Sequence, residues 1–171
     1  SIANLFRKNG GNNNMTRQSL KVSIRILSGS CIPKPDEDNK TGEVINPYVK
    51  ISVYDVKNGY KEGFQASTTG VCYNNGFSPI WNSEKFSFGV ENRAVAMLHL
   101  AIYDKASSPT VSDALVATAS IPISCLRKGL RSVKLFDPAN TRSGAIDFAS
   151  LLIEVKLAKG DAILYNNDDD D

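Results

Sequence analysis

Residues 75–88 read NGFSPIWNSEKFSF, a turn that leads into an aromatic strand. The asparagine, glycine and proline at its start are residues that favour turns. Phe86 and Phe88 are two positions apart, so both rings lie on one face of an extended chain. Together with Trp81 they are expected in the core, because large aromatic side chains gain most from burial. This stretch therefore predicts one strand of a sheet with a buried aromatic face.

The same period of two recurs along the chain. Residues 20–27 read LKVSIRIL and residues 48–54 read YVKISVY, with apolar and polar side chains alternating as in a half-buried strand. Clusters of Gly, Pro, Asn and Asp separate such segments. Many short strands of this kind predict an all-β protein, an eight-stranded antiparallel β-sandwich. The predicted strands are 20–27, 48–54, 64–71, 81–90, 95–104, 114–123, 131–136 and 149–157, with room for one helical turn at 124–128.

The 171 residues fit one domain with two tails better than two domains. Residues 1–18 end in a Gly- and Asn-rich stretch and are predicted to be a disordered N-terminal linker. Residues 19–160 form the predicted sandwich domain. Residues 161–171, which hold five Asp and no Lys or Arg, are a predicted acidic disordered tail. The chain does not begin with Met, so we expect it to be a piece of a longer protein.

The charge of the chain points to mild attraction toward anionic surfaces. The net charge is +2, and residues 19–160 carry 17 basic and 13 acidic side chains. Each well-placed Lys or Arg near an anionic leaflet contributes roughly 1 kcal/mol. No basic stripe interleaved with aromatic residues is present, so nucleic acid is not predicted as a partner.

The sequence does not carry the groups that catalysis needs. Its one histidine, His99, lies between leucines in a predicted strand and is expected on an outer face. No nucleophile elbow, phosphate-binding glycine loop or His/Cys metal set is present. Cys31, Cys72 and Cys125 are far apart and odd in number, which predicts reduced thiols in a cytosolic protein. We therefore expect a module without catalytic activity of its own.

Three segments together resemble the C2 domain, in particular the C2 domain of phosphoinositide-specific phospholipase C. The first is NPYVKI at residues 46–51, the second is the stretch at 75–88, and the third is IPISCLRKGLRSVKL at 121–135. They occur in the order and spacing of that family. The resemblance implies a C2-type sandwich with type II strand order. It also implies a module that docks a phospholipase C-like parent on membranes. The catalytic barrel of that family and its pair of histidines are absent from this chain, so the module is expected to lack the catalytic activity of that family.

The resemblance also implies a calcium site in the loops at one end of the sandwich. Calcium takes 6 to 8 oxygen ligands, several of them anionic. Of the positions that are acidic in calcium-binding C2 domains, Asp104 and Asp113 are kept, and Asp38 is a third candidate from an upstream loop in which Asp36 and Glu37 are alternatives. Two expected acids are replaced, by Asn46 and Ala106, and Lys105 adds a positive charge.

This depleted set of acids sets the expected affinity. With two firm carboxylates we predict no firm cofactor and at most a weak calcium site, with a dissociation constant of about 10⁻³ M. The alternative role for Asp104 and Asp113 is to cap turns by accepting backbone hydrogen bonds.

Several other residues are candidates for contact with lipid. Apolar loop residues and basic side chains together are enough for peripheral membrane binding. The alternatives are a packed loop for the apolar residues and a solvated face for the lysines. We expect the partner to be an anionic phospholipid surface, and the protein to be cytoplasmic and peripheral at the inner membrane leaflet. The alternative is a scaffold domain that binds neighbouring domains of a parent phospholipase C and does not bind lipid. The lipid-binding candidates are Ile32, Val111, Lys105, Lys50, Lys57 and Lys61.

Overall fold

The computed structural model of the chain describes residues 16–34, 44–57, 61–138, 144 and 146–164. This part of the chain contains eight β-strands and one short 3₁₀ turn. The elements are β1 (Thr16–Ser30), β2 (Pro47–Lys57), β3 (Lys61–Thr68), β4 (Phe86–Val90), β5 (Met97–Asp104), β6 (Ala114–Pro122), the 3₁₀ turn (Ile123–Cys125), β7 (Gly129–Lys134) and β8 (Ser150–Leu164).

The strands form two four-stranded antiparallel sheets with the orders β4-β1-β8-β7 and β3-β2-β5-β6. The first and last strands are neighbours at the centre of one sheet, and they pair from Thr16 with Leu164 to Ser30 with Ser150. The predicted eight-stranded antiparallel sandwich is confirmed.

The apolar residues at alternate positions of each strand meet between the two sheets. In β1, Val22, Ile24 and Ile26 are fully buried, while the intervening side chains face outward. Burial of apolar surface is the main force that holds two such sheets together. Phe86 and Phe88 are buried and Trp81 packs against the same core, as the sequence predicted. His99 faces outward from β5, where its Nδ1 lies 2.9 Å from Ser120 Oγ.

The aromatic strand is shorter than its sequence pattern predicted. We expected it to begin at Trp81, but β4 begins at Phe86. Asn82 adopts a left-handed conformation, with φ of 45°. The backbone N–H groups of Trp81 and Asn82 both donate to the carbonyl of Leu27, each at 3.0 Å. Two residues thus oppose one on β1, which is the geometry of a β-bulge and interrupts regular pairing.

Four connections lie at one end of the sandwich, which we call the loop end. They join β1 to β2, β3 to β4, β5 to β6, and β7 to β8. Pro47 at the start of β2 is paired with Asp104 at the end of β5, and Ser30 at the end of β1 is paired with Ser150 at the start of β8. These pairings bring the connections to the same edge. No helix in the described residues is long and apolar enough to cross a bilayer.

Candidate functional site

Asp104 and Asn46 tie three connections together at the loop end. The backbone N–H of Asn46 donates to Asp104 Oδ1 at 2.7 Å. The side-chain oxygen of Asn46 accepts a hydrogen bond from the backbone N–H of Asn74 at 2.9 Å. The backbone N–H of Lys105 donates to the carbonyl of Asn46 at 3.0 Å. Asn46 therefore links the β1–β2, β3–β4 and β5–β6 connections, which is the role of a polar turn residue.

Asp113 is surrounded by hydrogen-bond donors from its own chain. Its Oδ2 accepts from the hydroxyl of Tyr48 at 2.8 Å and lies 3.2 Å from the ammonium of Lys105. Its Oδ1 accepts from the backbone N–H of Ala106 at 3.0 Å. Both carboxylate oxygens are thus occupied. The ring of Tyr48 stacks on Tyr103 of β5 with centroids 5.5 Å apart, which fixes the direction of the hydroxyl.

The same contacts set the protonation states of this cluster. The backbone N–H of Ala106, with Tyr48 and Lys105, holds the pKa of Asp113 below its ordinary value of 3.8. Burial, together with the hydrogen bond to the Asp113 carboxylate, raises the pKa of Tyr48 to about 12. At neutral pH Asp113 is therefore ionised and Tyr48 is protonated. The positive charge of Lys105 lies beside the Asp113 carboxylate and offsets it.

This arrangement fits a calcium ion poorly. Among the described residues, no group of three or more His, Cys, Asp or Glu side chains lies close enough together to hold a metal ion. Lys105, half exposed, supplies at Asp113 the positive charge that a cation would bring. A Ca²⁺ ion would have to displace that ammonium and dehydrate with few anionic ligands in return. Of the predicted metal-site acids, Asp104 and Asp113 both lie at the loop end, while Asp38 lies outside the described residues.

The contacts of Asp113 give a pH prediction. The pKa of Asp113 is lower in the folded state than its ordinary value of 3.8. Its ionised form therefore stabilises the fold at pH values above 3.8, and this stabilisation is lost as the pH falls through the pKa of the folded state. We expect Asp113→Asn to lower the free energy of unfolding by about 1–2 kcal/mol at pH 7. The difference from the wild type should shrink below pH 3.8.

Urea unfolding of the two proteins at pH 7 and at pH 3 measures this difference. The control is Asp147→Asn, which makes the same chemical change at an exposed turn residue and is expected to alter stability little at either pH. An equal cost of Asp113→Asn at both values of pH would show that the carboxylate charge does not stabilise the fold.

Large apolar side chains are exposed around this cluster. Tyr73 is 71% exposed and Phe77 is 77% exposed. Tyr73 directly precedes Asn74, which is hydrogen-bonded to Asn46. The backbone of Phe77 is held by Cys31, whose N–H donates to the Phe77 carbonyl at 2.8 Å. Val111, predicted as a lipid contact, is 61% exposed in the β5–β6 connection. Tyr73 and Phe77 were missed at the sequence level, although aromatic residues within a polar turn are a signal of exposure.

Ile32 does not share this exposure. It is only 6% exposed and belongs to the core cluster, so a membrane cannot reach its side chain in this conformation. Its backbone N–H donates to the carbonyl of Gly76 at 3.0 Å, which holds the β1–β2 connection against the segment before β4. Of the two interpretations considered for this loop, the structure favours the packed one at Ile32.

The structure separates the predicted lysines. Lys105 lies in the loop end beside Asp113, and Lys50 projects from the outer face of β2 near the same end. Lys57 and Lys61 are cross-strand partners in the β2–β3 hairpin, at the opposite end of the sandwich. Lys50 and Lys57 are also seven residues apart in one strand, so their side chains point to opposite faces. Lys50, Lys57 and Lys61 do not come together.

The sequence of this sandwich matches a known family. A family model described as the C2 domain matches residues 20–137, which covers more than half of the chain. This chain belongs to the C2 domain family. The match includes the segment at 75–88, Asp104 and Asp113.

Curated relatives of this C2 domain include proteins of the phospholipase C family. Human inactive phospholipase C-like protein 2 is 28% identical over 137 residues, 80% of this chain and 11% of that protein. Mouse 1-phosphatidylinositol 4,5-bisphosphate phosphodiesterase zeta-1 is 32% identical over 137 residues, 80% of this chain and 19% of that protein. The chain therefore spans less than a fifth of the length of either relative.

Solved structures confirm the fold of this C2 domain. A C2 domain of plant extended synaptotagmin 1 superimposes with a TM-score of 0.63 at 17% identity, covering 82% of this chain and 95% of that one. Phospholipase C 21 of L. pealei superimposes with a TM-score of 0.61 at 16% identity, covering 85% of this chain and 16% of that one. At such identities the likeness establishes the fold alone.

Proposed function

We propose that this C2 domain is a non-catalytic module that docks a larger phospholipase C-like protein on anionic phospholipid, at the cytoplasmic face of a membrane, with weak or no dependence on calcium. The observation that carries the proposal is the ion pair of 3.2 Å between Lys105 and Asp113. In a calcium-dependent C2 domain an ion would neutralise the loop carboxylates before they approach an anionic surface. Here the chain neutralises Asp113 itself.

The exposed apolar side chains of the loop end supply the contact with lipid. Phe77, Tyr73 and Val111 lie on connections of the same end. An exposed aromatic side chain that enters the interface of a bilayer gains roughly 1.5–3 kcal/mol from its burial. Lys50 and Lys105 add attraction to anionic headgroups. These contributions are small one by one, and together they are sufficient for reversible peripheral binding.

Binding to vesicles tests the proposal. We expect this chain to sediment with vesicles of phosphatidylcholine and phosphatidylserine to the same extent in calcium and in EGTA. No binding in either condition would refute lipid docking, and binding only in calcium would refute its calcium independence.

Phe77→Ala tests which surface is used. We expect this change to remove about 1.4 kcal/mol of favourable burial. A loss of that size lowers the vesicle partition coefficient about tenfold. Phe64→Ala is the matched control, since Phe64 is also exposed, at 55%, but on the outer face of β3. An equal loss in both variants would place the lipid contact elsewhere.

A scaffold function is the second candidate, and the outer face of the β3-β2-β5-β6 sheet favours it. Tyr54 and Phe64 are both about half exposed, with their rings 5.1 Å apart. Exposed apolar pairs of this kind are common at protein contacts. If this face binds a neighbouring domain of a parent protein, Phe64→Ala weakens that association and leaves vesicle binding unchanged.

A further inference from the structure

A groove separates the two sheets along one side of the sandwich. It lies between β6 and β7, which are the edge strands of their sheets on that side. One end is closed by a pair of backbone hydrogen bonds between Thr118 and Phe136, at 2.9 and 2.8 Å. The 3₁₀ turn and Leu126 line the other end, and the groove has a volume of about 330 Å³. That volume lies in the range of small-molecule sites in proteins.

The floor and the rim of this groove differ in chemistry. The floor is apolar and is formed by Ala119, Leu126, Val133 and Ile153. The lining also includes three cationic residues and no carboxylate; the cations are Arg127, Arg131 and Lys134.

Arg131 is fixed in place at this rim. Its Nε donates to the carbonyl of Arg127 at 3.2 Å, one Nη donates to the carbonyl of Leu130 at 2.8 Å, and the other Nη donates to the carbonyl of Lys128. The guanidinium thus keeps its charge in one position at the mouth of the groove. The nearest acid on β8, Glu154, pairs with Leu130 across the strands, so it points to the outer face of the sheet. There it forms an ion pair of 3.3 Å with Lys156.

A positive rim above an apolar floor is complementary to an amphipathic anion. Guanidinium groups match the oxygens of a phosphate, with which they form paired hydrogen bonds. The apolar floor matches the first carbons of an acyl chain, whose burial is favourable. We propose that the groove binds a single phosphate-headed lipid, with the phosphate at Arg127 and Arg131 and the acyl chain along the floor. Lys134 is three positions from Arg131 in β7, so its side chain points to the other face of the strand. This site lies on the side of the sandwich, so it is separate from the lipid contact proposed for the loop end.

The chain contains its own reporter for this site. Cys125 is exposed and lines the groove. Cys31 and Cys72 are partly buried thiols at the loop end, where their backbone N–H groups are bonded to Phe77 and Pro47. Alkylation of each cysteine, followed by mass spectrometry, therefore distinguishes the groove from the loop end in one sample without any substitution.

We would use dihexanoyl phosphatidate, below its micelle concentration, as the probe. At twice its dissociation constant it should slow alkylation of Cys125 about threefold, since the free fraction of sites falls to a third. Cys31 and Cys72 should react at unchanged rates. Dihexanoyl phosphatidylcholine tests whether the anionic head is needed, and glycerol 3-phosphate tests whether the acyl chain is needed. Equal protection by either, or no protection of Cys125, would overturn the proposal.

A substitution at the rim tests the contacts. We expect Arg127→Gln to raise the dissociation constant for dihexanoyl phosphatidate about three- to fivefold, the usual size for exposed charge pairs. Lys85→Gln, an exposed lysine outside the groove, is the matched control and should have no effect. Arg131 is left intact because its guanidinium holds the carbonyls of the 127–130 turn. An unchanged dissociation constant in the Arg127→Gln variant would overturn the assignment.

Phe77→Ala separates this proposal from docking through the loop end. That variant should lose vesicle partition and keep the protection of Cys125 by dihexanoyl phosphatidate. Loss of both would mean that the two sites are one, and the groove would then not be an independent lipid site.

Discussion

Replacing Asn46 and Ala106 by aspartate, together with Lys105→Ser, is expected to raise the affinity of the loop end for calcium about a hundredfold. The two new carboxylates flank Asp104 and Asp113, and the third change removes the ammonium that lies 3.2 Å from Asp113. More anionic oxygens around one point favour capture of a divalent cation, because they repel one another without it. The expected dissociation constant moves from about 10⁻³ M toward about 10⁻⁵ M.

Calorimetric titration of calcium into the triple variant measures this change. The control carries Ala66→Asp, Ala94→Asp and Lys128→Ser, three exposed positions outside the loop end, and it changes the net charge equally. It should bind no more tightly than the wild type. If the triple variant also fails to gain affinity, the loss of loop carboxylates is not what weakens the site.

Leu100→Ala is expected to lower the free energy of unfolding by about 2–5 kcal/mol. Leu100 is fully buried at the centre of β5, between Ile51 of β2 and Ala119 of β6. Removal of its side chain loses apolar burial and leaves a cavity between close-packed sheets.

Urea unfolding with and without the change gives the cost. Leu130→Ala is the matched control, because Leu130 is 59% exposed in the edge strand β7, and we expect a cost below about 1 kcal/mol there. Similar losses at the two leucines would contradict a core that lies between the sheets.

The strands were predictable because period-two alternation is a local property of the sequence. Phe86 and Phe88 take the same face for that reason alone, and the structure buries both. The start of β4 was not predictable, since it depends on the shared bonds from Trp81 and Asn82 to a carbonyl of β1. Such a bulge is a contact between segments that are distant in sequence.

The loop end was predictable in its residue types but not in its contacts. Asp104, Asp113 and Lys105 were recognised from a family pattern, while the direction of the Lys105 side chain toward Asp113 required the folded loop. The burial of Ile32 likewise depends on packing that no local pattern encodes. The separation of Lys50 from Lys57 could have been predicted, because an odd spacing within one strand places two side chains on opposite faces.

Calorimetric titration of calcium into the wild-type chain tests the central claim most directly. That claim is that Lys105 already neutralises Asp113 and that the described part of the loop end leaves too few anionic oxygens for an ion. We predict a dissociation constant no tighter than about 10⁻³ M. A value between about 10⁻⁷ and 10⁻⁵ M, the range of calcium sensors, would contradict the account.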